Sequence, residues 1–143
     1  MSISNGAISA PPQMSAPKKQ KGSLTYDVSE NAKLPTGCID FRAGSVVAFY
    51  IATATDSDFE AYGWAGTGAP ADPDALTAAE QALFKPIYAE GTQVKIAAAD
   101  FAQGQWHVFV GDDAAALMPF DYIMFRSATD QAADRTMLYK VSA

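Results

Sequence analysis

The chain has 143 residues, 49% of them hydrophobic and 18% charged, enough for one domain with a substantial core and too few for two ordinary ones. Its longest apolar run is far below the roughly 20 residues that span a bilayer, and a single cysteine, Cys38, excludes an intrachain disulfide and a thiolate zinc site. Three of the ten basic residues and none of the sixteen acidic ones fall in residues 1–22, so the net charge of −6 divides into +3 and −9; a body this acidic repels phosphate backbones, and nucleic acid is not an expected partner.

Residues 1–22 form the first segment. They are rich in Ser, Ala, Gln and Lys, with Pro11, Pro12 and Pro17 and isolated apolar residues at Ile3, Ile8 and Met14. No period of two or 3.6 runs through them, which predicts an extended, polyproline-like arm. Met1 to Ala10 has no basic stretch followed by an apolar one, so no secretory signal is expected, and the protein reads as soluble with no membrane segment.

Residues 23–143 read as a single β-rich domain. Ser23 to Val28 alternates, with Leu24, Tyr26 and Val28 on one side, the pattern of a half-exposed strand. Cys38 to Arg42 and Gly44 to Thr53 follow across a short turn and are expected to form a hairpin. In the second of these, Val46, Ala48, Tyr50 and Ala52 point one way and Val47, Phe49 and Ile51 the other. Both faces are apolar, which places this strand at the centre of a sheet covered on both sides or in a closed two-layer core.

Phe59 to Ala65 is a further strand with Tyr62 and Trp64 on one face. After the loop from Gly66 to Pro73, Thr77-Ala-Ala-Glu80 has capping-box spacing, predicting a helix over 78–85 that Pro86 ends; an alternative start has Asp72 as cap and Pro73 at the first helical position. Val94, Ile96 and Ala98 alternate, as do Trp106, Val108 and Val110 with His107 and Phe109. Gly111-Asp112-Asp113 reads as a turn, and Phe120 to Arg126 with Thr136 to Val141 as a terminal hairpin. The expected fold class is all-β: an antiparallel sandwich or jelly-roll-like domain with one short inserted helix and an extended N-terminal arm.

Catalytic signals are sparse. His107, the one histidine, sits between Trp106 and Val108 with no serine or cysteine nucleophile in a recognisable setting, so it reads as a packed strand residue and the protein as non-enzymatic. Asp56, Asp58 and Glu60 have the spacing of the first ligands of a calcium loop, but Ala61 and Thr67 stand where an EF-hand needs glycine and glutamate. Gly63, Gly66 and Gly68 fit neither a P-loop nor a dinucleotide fingerprint. No cofactor or metal is expected, and Cys38 reads as a small hydrophobe.

A basic, proline-bearing arm before an acidic β domain suits an assembly component, with the arm laid on a neighbour. Ile3, Ile8, Pro11, Pro12, Met14 and Pro17 would anchor it, and Lys18, Lys19 and Lys21 would meet an acidic surface. In this organisation the chain resembles small virion proteins of tailed bacteriophages, the decoration or cement type. That resemblance implies a homo-oligomer such as a trimer, the major capsid protein as partner, capsid stabilisation, and a place in the virion assembled in the host cytoplasm. A minor head or tail role suits the same pattern. The alternative is a carbohydrate-binding β-sandwich module whose glycan platform is Tyr62 and Trp64.

Overall fold

The computed structural model describes residues 21–26, 34–42, 44, 46–51, 58–98, 105–127 and 135–142. Among them the strands are β1 (Lys21–Tyr26), β2 (Ile39–Asp40), β3 (Val46–Ile51), β4 (Phe59–Trp64), β5 (Phe84–Pro86), β6 (Tyr88–Ala89), β7 (Thr92–Gln93), β8 (Lys95–Ile96), β9 (Trp106–Val108), β10 (Tyr122–Ser127) and β11 (Arg135–Ser142). Two short helices accompany them, α1 (Ala78–Ala82) and α2 (Gly111–Leu117). One sheet has the order β1-β11-β3-β9; a second has the order β2-β10-β4-β5 with β8 also on β4; β6 and β7 form a small ribbon. The pairings are antiparallel, and the all-β sandwich expected from the alternating patterns is the architecture observed.

Alternation explains how the layers close. From the first sheet Leu24, Val47, Phe49, Met137, Tyr139 and Val141 point inward; from the second Ile39, Phe59, Ala61, Ile123 and Phe125 meet them. Three rings hold the centre: Phe49 lies 4.5 Å from Phe125 and 5.8 Å from Phe109, both edge-to-face, and Phe109 stacks on Phe125 at 5.5 Å. A smaller cluster, Cys38, Phe84, Tyr122 and Met124 with Leu34, Tyr62, Trp64 and Leu76 around it, lies on the outer side of the second sheet. The segment 66–83 covers that cluster and acts as a cap.

Several local expectations are corrected. The first described strand starts two residues before the expected Ser23, with Lys21 and Gly22 paired to Lys140 and Tyr139. The hairpin expected from 38–42 and 44–53 does not form: β2 pairs with β10, whereas β3 pairs with β11 and β9. The turn between them carries the chain from one sheet to the other. Gly44 donates its N–H to the Phe41 carbonyl at 2.9 Å, and a Cβ at Gly44 would come within 2.8 Å of the Phe41 ring and the Val141 side chain; only glycine fits that crossing. The terminal hairpin is likewise two strands of different sheets, β10 in the second and β11 in the first.

The capping box forms as expected, with Thr77 Oγ1 accepting from the Glu80 N–H at 3.1 Å and Glu80 Oε1 accepting from the Thr77 N–H at 2.9 Å. The helix is shorter than 78–85, ending at Ala82, because Phe84 is drawn into β5 opposite Trp64 and its ring is buried. Asp72 caps a turn, accepting from the Asp74 N–H at 3.0 Å, and not a helix. Of the strand expected over Val94 to Ala98 only Lys95 and Ile96 form β8; Val94, between β7 and β8, donates its N–H to the Ile87 carbonyl and accepts from the Ala61 N–H. Gly111-Asp112-Asp113 opens α2 instead of a turn: the acids sit in its first turn, where the helix dipole favours them, and Leu117 is buried in the main core.

The cap responds to acid. Backbone N–H groups of Thr77 and then Ala71, each donating at 2.9 Å, hold the Glu80 carboxyl below the usual carboxylate range, and backbone donation by Ala98 followed by the Lys95 ammonium does the same for Asp58. A lowered folded pKa contributes stability that is present above the unfolded value, near about 4, and is lost as pH falls through the folded one. Thermal midpoints are therefore expected to fall below about pH 4, and to fall less steeply in Glu80→Gln; equal slopes for the two proteins would refute the assignment.

Candidate functional site

The apolar faces of β3 call for a covered strand, and among the described residues its inner face alone is fully buried. Val47 and Phe49 are buried inside, whereas Ala48 and Tyr50 are only half-buried on the outside. Strand register extends that outer face across the whole sheet. One row runs Ser23, Leu138, Tyr50, Trp106 and the next Lys21, Lys140, Ala48, Val108. Leu138 is 43% exposed, Trp106 42% and Val108 45%, and Val110 just beyond β9 is 72% exposed.

Direct contacts bind the rows together. The Tyr50 and Trp106 rings lie 5.3 Å apart at 46°, and the Lys140 ammonium sits over the Trp106 ring at 5.1 Å, a cation–π contact that restrains both side chains. Charge on this sheet has one sign. Its strands carry Lys21, Arg135 and Lys140 and no Asp or Glu; every acidic residue among those described lies on the other sheet, its cap or the connecting segments. An apolar, aromatic, acid-free face on a chain with sixteen acidic residues is the most distinctive surface of the molecule. Contiguous exposed apolar surface of this kind marks contact sites, and Trp and Tyr supply disproportionate shares of contact energy.

The residues singled out in the sequence are distributed differently. Ile3, Ile8, Pro11, Pro12, Met14, Pro17, Lys18 and Lys19 lie outside the described residues. Lys21 is exposed in β1, directly on the face described above. Tyr62 and Trp64 do share the outer side of β4, but as half-buried members of the smaller cluster under the cap. The Arg126 guanidinium covers the Tyr62 ring at 4.3 Å and donates to the Gln81 carbonyl at 2.9 Å. The Trp64 indole N–H donates to the Gly68 carbonyl at 2.7 Å, and a Cβ at Gly66 would come within 2.3 Å of its ring, so Gly66 serves close packing, whereas Gly68 supplies a positive φ of 72°. Trp64 also lines a hollow of about 400 Å³ with Arg42, Phe120, Asp121 and Tyr122.

His107 is half-buried on the inner side of β9, its ring edge-to-face with Phe109 at 5.1 Å. Asp58 is engaged by Lys95 Nζ and the Ala98 N–H, each at 3.0 Å, and Asp56 lies outside the described residues. Among the described residues no three His, Cys, Asp or Glu side chains come together as a metal site, and no helix is long and apolar enough to cross a membrane. Cys38 is buried; loss of solvent and then the charges of Asp40, Asp74 and Glu80 push its thiol up to about 12. A disulfide-exchange reagent at pH 8 is expected to modify native Cys38 at least about 100-fold more slowly than the unfolded chain; similar rates would show the site to be open.

Among the described residues, fold and surface define a two-sheet antiparallel sandwich with one outer side capped by residues 66–83 and one outer side presenting exposed apolar and basic side chains. Comparison with known proteins adds no relative: no family model, no curated protein and no solved structure matches the chain.

Proposed function

We propose that the chain is a non-enzymatic assembly protein that binds neighbouring protein subunits through the outer face of the β1-β11-β3-β9 sheet and through its N-terminal arm, in the manner of a virion decoration or cement protein. The observation that carries this reading is the open row Leu138, Tyr50, Trp106 with Val108 beside it. Covering a Leu or Val side chain completely is worth about 1.5–3 kcal/mol, so a partner gains from closing a surface that the isolated fold leaves wet. Support for the arm comes from its composition and from its point of departure, since β1 begins at Lys21 on the edge of this same sheet.

The test is sedimentation of native source material, followed by limited trypsin digestion of the fast fraction and of the purified protein. Co-sedimentation with a large particle is expected, with cleavage after Lys18 and Lys19 suppressed there and rapid in the free protein. Trp106→Ala should release the protein from the particle, weakening association by about 2 kcal/mol or more. Migration at the 15.1 kDa monomer position with the arm cut equally in both samples would end the assembly reading.

A glycan site is the second reading, favoured by the hollow beside Trp64. There the ring works with Phe120 and Tyr122 and not with Tyr62, whose face Arg126 covers. Loss of glycan binding in Trp64→Ala, with particle association intact, would support it over the first.

A further inference from the structure

We infer that the acid-free sheet face of one copy docks on the cap, residues 66–83, of a second copy. The inference rests on the assembly reading above and goes further by naming the partner and the contact. The two surfaces are opposites in charge: the outer face of the first sheet carries Lys21 and Lys140 and, among the described residues, no acid, and the cap carries Asp72, Asp74 and Glu80 with no Lys or Arg. They are also opposites in relief. The sheet face presents bulky side chains at Trp106 and Leu138, whereas the cap presents exposed alanines on α1 and an exposed Leu83, a low apolar surface that a large ring can approach closely.

Other occupants fit worse. Face-to-face docking about a two-fold axis would join two faces that both carry Lys21 and Lys140, neighbours in one row, with no acid among the described residues of either face to pair them. The chain's own arm brings Lys18 and Lys19 and no acid to a surface already basic. Because the cap lies on the outer side of the second sheet, away from the first, the contact is heterologous. The pair keeps one unused cap, on the copy whose face is engaged, and one unused face, on the other, so association continues into a ring or an open stack. Complementary exposed charges also make it weaken with added salt.

Sedimentation velocity of the full chain across protein concentration, at low and high salt, tests this. Association is expected to grow with concentration and to recede in high salt. Leu138→Lys on the face and Ala79→Lys on the cap alter exposed positions, and each is expected to raise the dissociation constant at least about tenfold. Circular dichroism checks that both remain folded, and Lys140→Gln gives a second, gentler face variant. Mixing Leu138→Lys with Ala79→Lys should restore a one-to-one pair and nothing larger, because only one intact face and one intact cap remain between them.

Association unchanged by all these variants, or a mixture that grows as the unaltered protein does, overturns the inference. If the unaltered protein stays monomeric while Leu138→Lys alone abolishes co-sedimentation with the large particle, the face serves a different protein: the self-docking falls and the assembly reading stands. A monomer with no particle association removes both.

Discussion

Phe49→Ala is expected to destabilise the domain by about 3–5 kcal/mol, a large share of the roughly 5–15 kcal/mol that holds an ordinary domain together. Phe49 is fully buried in the middle of β3, and its ring meets Phe125 from the facing sheet and Phe109 from the end of β9. Truncation therefore removes contacts between sheets and between strands at once. The cavity cannot close by a small shift, because the Phe109 and Phe125 rings stack on each other and β3 is paired on both edges. Urea denaturation should show a lowered midpoint with the slope retained. A loss under about 1 kcal/mol would mean that the inter-sheet core is more plastic than close packing allows.

Asp40→Ala is expected to come next, at about 3 kcal/mol. Asp40 is a buried carboxylate at the end of β2; it accepts from Arg42 Nε at 2.9 Å, from Arg42 Nη2 at 2.6 Å and from the Arg42 N–H at 3.3 Å. The pair holds the guanidinium beside the Tyr122 ring, 5.6 Å from its centre, where the chain leaves one sheet for the other. Removing the carboxylate strands a partly buried cation, and that uncompensated charge is the larger part of the loss. The check is a double-mutant cycle by chemical denaturation. Asp40→Ala combined with Arg42→Met should recover much of the stability lost by Asp40→Ala alone. Additive losses would show that the ion pair is not what matters at this corner.

Local chemistry was legible wherever neighbours in sequence settle it. The Thr77 and Glu80 capping box needs only three-residue spacing, and it forms; α1 then stops early because Phe84 finds a burial site against β4 that no helix pattern encodes. Alternation in β4 and β9 identified faces correctly, and in β1 it did so for Ser23, Leu24 and Thr25, since period two is a property of the extended backbone itself. Neither expected hairpin formed, because a connection between apolar strands looks the same whether the second strand returns to its own sheet or crosses to the facing one; at Gly44 the crossing is decided by Phe41 and Val141, the latter far away in sequence. The helix at Gly111–Leu117 was hidden by its glycine and paired aspartates, which mark a turn as readily as a helix start.

Candidate sites divide in the same way. Tyr62 and Trp64 were conspicuous because they stand close together in the chain, yet the fold packs both beneath the cap. Trp106, Tyr50, Leu138 and Val108 come from three strands, and only the register of β3 with β9 and β11 makes them one surface. The sequence by itself determined the all-β class, the division of charge between residues 1–22 and the acidic remainder, and a strand, β3, apolar on both faces. Those properties follow from composition and backbone periodicity, which are local. Which faces were covered, and where the charges gathered, only the tertiary structure decided. Sheet order depends on burial shared among residues distant in sequence, and that shared burial leaves β3 half-wet on a face with no acid.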